Sequence, residues 1–335
     1  MATADPPSSA PLGEFGRIAR LLRPLAAGFP GALDLTDDAA VFAPPPGRDL
    51  VVTTDAMVEG VHYLPDDPPG DVAAKLLRVN LSDLAAMGAD PLAYTLTTAL
   101  PRSVDDGWLA AFAAGLAADQ VRFGIALMGG DSVSVPGVPV LSVTAVGTVP
   151  AGRAVRRGGA RAGDAIAVTG TIGDAAFGLA VRLGRLVVPD DDARTLLERL
   201  RRPVPRTAFA AALREGATAA ADVSDGLVAD AGHLARASGL AIEIDAAAVP
   251  LSAAVRRLVA ADPGRIVDAI TGGDDYELVL AATPAAVPAL AAAARAAGFG
   301  LTVIGRALEG PAGGVSVRDA RGDPVPLAGT GWTHF

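Results

Sequence analysis

Six times along this chain an apolar run reaches a Gly, Ser or Thr and then an aspartate or two. "LTDDAAVF" carries Asp37 and Asp38, "VVTTDAMVEG" Asp55, and "RVNLSDLAAMGADP" Asn80 and Asp83. "ALMGGDSVS" carries Asp131, "AADVSDGL" Asp222 and Asp225, and "AITGGDDYEL" Asp274 and Asp275. One such Asp is a helix cap or a turn former, because its carboxylate bonds nearby backbone N–H groups. Asp225 before "GLVADAGHLARA" and Asp174 before "AAFGLA" read that way in isolation. The set resists the same explanation. Asp55 follows a β-branched run that looks like a buried strand and is expected to end it, partly buried. Asp83 falls within a helical stretch among Leu76, Leu77, Leu81 and Leu84. An isolated buried carboxylate is costly unless it is paired or bound to a metal.

Between these points strands and helices alternate. "GEFGRIARLL" (13–22) has helical spacing at Phe15, Ile18, Leu21 and Leu22. Apolar runs predict strands over Ala39–Phe42, Leu50–Thr54, Leu92–Leu100, Ile125–Met128 and Val140–Val149, and helices over Val72–Met87 and Asp105–Phe123. The aperiodic, Gly- and Arg-rich "TVPAGRAVRRGGARAGD" (148–164) places a domain boundary near 150. This gives a flexible tail over 1–12, an N-terminal domain over 13–150 and a C-terminal domain over 151–335, in which "AIAVTG", "LAIEIDA", "YELVLAA" and "LTVIGRA" read as strands. The fold class is α/β or α+β, and 335 residues suit two cores better than one.

The acidic residues have few cationic partners of one kind. Lys75 is the only lysine, so a P-loop, which needs a Gly-Lys pair, is excluded. There is no cysteine and there are three histidines, which argues against zinc. Hard oxygen donors from Asp and Thr suit Mg²⁺, and carboxylate-held Mg²⁺ usually has a substrate phosphate in its shell. The reading is phosphoryl transfer from a nucleotide. The glycine pairs of "GGD" (129–131) and "GGDD" (272–275) fit it, since Gly lets backbone approach a phosphate closely, although Gly-Gly is also a plain turn signal. A net charge of −9 without a basic stripe argues against nucleic acid. The start, "MATADPPSSAPLG", lacks a basic and an apolar segment, and no run of apolar residues is long enough to span a membrane. A cytoplasmic protein is expected.

Taken in order, "GEFGRIARLL", "DDAA", "TTDAMVEGVHYLPD", "VNLSDLAAMGADPLAYTLTTALP", "GGDSVS", "GRAVRRGGARAGDAIAVTGTIGDAAFGL", "RPVPR", "DVSDGLVADAGHLARASG", "GGDDYEL" and "GWTHF" resemble the thiamine-monophosphate kinase family from about Gly13 to the last residue. "NLSDLAAMGA" is shared with a wider superfamily of ATP-using synthetases that includes aminoimidazole-ribonucleotide synthetase, whereas "TTDAMVEGVHYLPD" and "GWTHF" are more specific. The resemblance implies a two-domain aminoimidazole-ribonucleotide synthetase-like fold whose N-terminal sheet pairs with a second subunit into a dimer barrel. It implies ATP and several Mg²⁺ ions, with thiamine monophosphate as acceptor and thiamine diphosphate as product. Carried over by motif, the metal ligands are Asp38, Thr53, Thr54, Asp55, Asp83, Asp131, Asp222 and Asp225. ATP meets Gly130, Asp131, Arg157 and Ser224, and the acceptor meets His62, Asp274 and Trp332. Asp55, Asp131 and Arg157 are the expected catalytic residues. Trp332 would offer a π face to the cationic thiazolium.

Three positions depart from the family pattern: Thr36 replaces a Gly before the first Asp pair, Val133 replaces a hydroxyl residue, and Asp274 replaces a Glu one methylene longer. None removes an implied metal ligand. Two other readings stay open at this stage, another synthetase of the superfamily and a non-catalytic nucleotide-binding regulator.

Overall fold

The computed structural model describes residues 12–327 and 329–332. The tail expected over 1–12 lies, apart from Leu12, outside the described residues, as do the last three residues of "GWTHF". The described residues fold into two compact units, one drawn from 12–43, 54–77 and 93–144 and another from 44–53, 78–92 and the described residues from 145 onward.

The first described elements are α1 (Glu14–Arg17), a π-type turn over Ile18–Leu22 and α2 (Arg23–Ala26). A four-stranded sheet follows, in the order β1-β4-β2-β3. Its strands are β1 (Arg48–Val58), β2 (Asp90–Leu100), β3 (Ala126–Ser134) and β4 (Val140–Pro150). Helix α3 (Pro69–Ala86) joins β1 to β2, and α4 (Asp106–Phe123) joins β2 to the parallel β3. Leu76, Leu77, Leu81 and Leu84 of α3 are fully buried. Helix α4 starts where Asp105 accepts the Trp108 N–H at 2.7 Å and stops at Gly124, whose φ of 65° forms a left-handed cap.

A second, six-stranded sheet has the order β10-β7-β9-β5-β8-β6. It comprises β5 (Ala165–Thr169), β6 (Ala219–Asp222), β7 (Ala241–Asp245), β8 (Leu278–Ala282), β9 (Leu301–Leu308) and β10 (Gly314–Arg318). All its pairs are antiparallel except β10 with β7. Helices follow the strands: α5 (Asp174–Arg182), α6 (Asp190–Arg201), α7 (Ala210–Gly216), α8 (Leu227–Ser238), α9 (Ala253–Ala261), α10 (Arg265–Thr271) and α11 (Val287–Ala296). Both faces of this sheet are covered. Ile166, Val168, Val279 and Ala281 pack with Leu227, Ala231 and Leu234 of α8. Ala167, Leu278 and Leu280 pack on the other side with Leu213 and Leu290. Strands buried on both faces read as unbroken apolar runs, which is why the sequence exposes them so clearly.

Three local expectations fail. Ala39–Phe42 joins no sheet. It follows a turn in which Leu33, Asp34 and Leu35 all have φ between 51° and 55°, and the Val41 N–H bonds to the Gly31 carbonyl instead of to a strand. Strand β1 does not end at Asp55, because no Gly or Pro interrupts it before Gly60, so Thr53, Thr54 and Asp55 lie mid-strand. Asp55 is half-buried as expected, but Leu50 and Val52 on the same strand are exposed, Val52 by 61%. Asp225 and Asp174 are not caps either. Gly226 and Gly173 hold those positions.

Candidate active site

In the first unit, β3 carries a bulge beside its partner. Tyr94 pairs with Leu127 but Thr95 pairs with Gly129, which leaves Met128 extra. Bulges of this kind re-aim the residues that follow, here Gly129, Gly130 and Asp131. A Cβ on Gly130 would collide with the Leu96 carbonyl of β2, so no larger residue fits. The segment lines a cavity of about 430 Å³ together with Asp37, Asp38, Ile18 and Leu22. Asp38 and Asp131 are both exposed, and Asp131 accepts the Ser132 N–H at 2.8 Å. On β1 the Thr54 hydroxyl donates to the Val143 carbonyl at 3.1 Å, and Ser142 bonds to the carbonyl of Asp55 at 3.0 Å.

His62 lies just beyond β1 and is half-buried. Its Nδ1 accepts the Val58 N–H at 3.0 Å, which puts the proton of the neutral ring on Nε2. Its carbonyl accepts from Nζ of Lys75 at 3.0 Å, so the only lysine of the chain pins this loop from α3.

In the second unit the Thr53 hydroxyl donates to Asp83 at 2.5 Å, joining two of the expected ligands. Burial raises the Asp83 pKa, opposed by that bond and by the charge of Arg157. Arg157 is exposed on the loop before β5, and its charge also acts on Asp230. Asp222 is buried at the end of β6, and Ser224 and Asp225 follow it, half-buried. Asp225, Asp230 and His233 bring oxygen and nitrogen atoms within 4.8 Å of one another. Burial, aided by the charge of Asp225, pushes Asp230 up to about 7, against the bonds it accepts from the Asp225 and Gly226 N–H groups.

The residues of this unit expected to meet the acceptor sit on strained or terminal backbone. Asp274 has a φ of 70° and Tyr276 a φ of 50°, with the tyrosine hydroxyl 3.2 Å from the Asp274 carboxylate. The Asp274 N–H bonds to the Ser224 carbonyl at 2.8 Å, and the Trp332 N–H bonds to the Asp225 carbonyl at 3.0 Å. The Trp332 side chain is 60% exposed. Thus Ser224, Asp225, Asp274 and Trp332 share one backbone network.

The family model "AIR synthase related protein, N-terminal domain" matches residues 36–149, and its C-terminal counterpart matches 161–318. A thiamine-monophosphate kinase of Caulobacter vibrioides is 45% identical, over 99% of this chain and 93% of its own length. The chain belongs to the thiamine-monophosphate kinase family. A crystal structure of the Stenotrophomonas maltophilia member superposes with a TM-score of 0.79 at 42% identity, covering 87% of this chain and 91% of that one. The structure of AaThiL complexed with AMPPCP and TMP gives 0.77 at 32% identity, over 97% of both chains.

Several buried or clustered polar residues of the second unit were given no role from the sequence. Asp230 and His233 stand one helical turn apart on α8, where an acidic residue in a first turn is unremarkable by pattern. Asp275 accepts the Gly173 and Ala175 N–H groups at the start of α5, and burial raises its pKa. Glu277 is fully buried against Arg199, Arg206 and Thr169. "DDYE" held both of these acids, but their partners lie far away in sequence.

Proposed function

We propose that this chain transfers the γ-phosphoryl group of ATP to thiamine monophosphate, giving ADP and thiamine diphosphate, the final step in making that cofactor. The observation that carries it is the likeness, over 97% of both chains, to a structure bound to AMPPCP, an ATP analogue, and TMP.

In this reading Asp38, Thr53, Thr54, Asp55, Asp83, Asp131, Asp222 and Asp225 are Mg²⁺ ligands. The donor set suits such an ion. It consists of carboxylates and hydroxyls, and the half-buried Asp83 keeps a raised pKa although Thr53 and Arg157 both oppose the shift. Bound Mg²⁺ shields the repulsion between two polyanions. The chain does the rest. Gly130 leaves its backbone open to a phosphate, with Asp131 and Ser224 as further nucleotide contacts. Arg157 stabilises charge on the transferred group. His62, Asp274 and Trp332 hold the acceptor. Its phosphate is already anionic near neutral pH, so no strong general base is needed. In-line positioning is then the main task.

We further propose a cytoplasmic homodimer. Among the described residues no helix is long and apolar enough to cross a membrane, and ATP is available in the cytoplasm. Leu50 and Val52 are exposed on β1, an edge strand of the four-stranded sheet, the kind of apolar edge a second copy would cover.

The test is an assay with purified protein, ATP, Mg²⁺ and thiamine monophosphate that reads ADP and thiamine diphosphate separately. Equal amounts of both, lost in Asp55→Asn, are expected. ADP without thiamine diphosphate would sink the acceptor assignment. Tight Mg²⁺–ATP binding without turnover would favour a regulator.

A further inference from the structure

Asp230 is 1% exposed in the first turn of α8. Its Oδ2 accepts the N–H groups of Ser224 at 3.0 Å, Asp225 at 3.0 Å and Gly226 at 3.2 Å. One carboxylate oxygen therefore gathers three successive amides, which curls the loop around it. The carbonyls of that loop are used in turn. Ser224 accepts the Asp274 N–H and Asp225 accepts the Trp332 N–H. The contact is close on both sides. A Cβ on Gly226 would stand 2.7 Å from the Thr271 carbonyl oxygen, and one on Gly331 would stand 2.6 Å from that of Asp225. His233, one turn further along α8, faces the same pair of carboxylates.

We propose that Asp230 is a positioning residue that fixes the Ser224–Gly226 loop and, through it, the placement of Asp274 and Trp332, and so sets recognition of the phosphate acceptor. The assignment of Asp274 and Trp332 to the acceptor rests on the proposed function. The alternative is a plain helix cap. A cap stabilises α8 and nothing more, whereas a positioning residue changes how well the acceptor is held. Only Oδ2 makes the three bonds, so an amide oxygen in its place keeps the acceptor that the loop needs.

The experiment compares Asp230→Ala, Asp230→Asn and, as a cap control outside the network, Ser252→Ala, whose hydroxyl accepts the Val255 N–H at the start of α9. Amide exchange is read residue by residue, and KM for thiamine monophosphate is measured beside kcat. Asp230→Ala is expected to exchange at Asp274 and Trp332 at least about tenfold faster and to raise the acceptor KM by at least about tenfold, the scale of a small misplacement. Asp230→Asn should recover most of both, and Ser252→Ala should lower Tm without either change. The proposal is overturned if Asp230→Ala leaves exchange and KM within about twofold of wild type, if Ser252→Ala reproduces its effects, or if Asp230→Asn is as impaired as Asp230→Ala. Should Asp230→Ala fail to fold, Asp230→Ser replaces it, with a hydroxyl too short to reach the three amides. If the wild type does not phosphorylate thiamine monophosphate, the functional reading fails, while the exchange arm still decides whether Asp230 places Asp274 and Trp332.

Discussion

Replacing Glu277 with Gln should cost the second unit several kcal/mol. The Glu277 side chain is fully buried at the head of β8. It accepts from the Thr169 hydroxyl at 2.7 Å, Nε of Arg206 at 2.6 Å and a guanidinium nitrogen of Arg199 at 2.6 Å, and pairs a second time with Arg206. Gln keeps the shape but loses the charge and turns an NH₂ donor toward guanidinium donors. Arg206 is 8% exposed and lies 4.4 Å over the Phe299 ring, so water cannot replace the lost carboxylate. Arg199, 21% exposed, keeps some access to water and to Asp174. Breaking a buried pair from one side costs about 3–5 kcal/mol, and the exposure of Arg199 favours the lower end, about 3 kcal/mol. At roughly 2–4 °C per kcal/mol for a unit of this size, Tm should fall by about 6–12 °C.

The assay is thermal unfolding of wild type, Glu277→Gln, Arg206→Met and the double variant at pH 7. The double variant should lose less than the sum of the single losses, because it no longer strands a charge. The difference should persist from about 0.1 to 1 M salt, since buried pairs are screened little. A Tm loss for Glu277→Gln below about 2 °C, or strict additivity, would refute the reasoning.

Other outcomes follow from single contacts. Gly130→Ala pushes a methyl group against the Leu96 carbonyl, so it should cost about 1–3 kcal/mol by thermal unfolding and raise the KM for ATP. Arg157→Ala, at an exposed position, should leave Tm nearly unchanged while kcat/KM falls by about 10²-fold, and an unchanged kcat/KM would remove its catalytic role. The Leu12 N–H at 2.7 Å, then the Arg17 guanidinium, hold the Asp106 carboxyl below the usual carboxylate range. A lowered folded pKa means that this tie is fully present above the unfolded value of 3.8 and is lost as pH falls through the folded one. Trp108 fluorescence in a Trp332→Phe background should therefore titrate below about pH 4, and Asp106→Asn should abolish that step.

How much of this was legible depended on whether a residue's partner is near in sequence or repeated in pattern. The strands of the six-stranded sheet were legible because both faces are buried. The link between Thr53 and Asp83 was visible only as two acidic-run motifs, yet the structure joins them directly. Glu277 was not legible, because its arginines lie 71 and 78 residues away and nothing local marks a strand-leading Glu as ion-paired. Ala39–Phe42 was misread because an apolar run says nothing about whether a neighbour exists to bond it. Leu50 and Val52 were misread for a related reason: their apolar character fits the edge of a sheet that a second copy would cover as well as it fits a core.

The "GGDDYEL" segment shows how one short motif serves two tasks. Its residues alternate. Asp275 and Glu277 turn inward, the first onto the amides that start α5 and the second onto Arg199 and Arg206. Asp274 and Tyr276 are left half-buried on the other side, both in left-handed backbone, with their side chains bonded to each other. Left-handed backbone costs about 1–3 kcal/mol per residue when Gly is not used. The Asp274 N–H bonds to the Ser224 carbonyl and the Tyr276 N–H to the Val223 carbonyl, both at 2.8 Å, which holds this conformation in place. The two buried acids, one between the strained residues and one after them, fix the same stretch of chain from the core side. On this account the ion network around Glu277 and the amide cradle of Asp230 have a common consequence. One holds the Asp274 segment through β8, and the other holds it through the Ser224 carbonyl. The Asp274 carboxylate then keeps one place although it is a methylene shorter than the family's usual Glu, because its backbone is held from two independent directions.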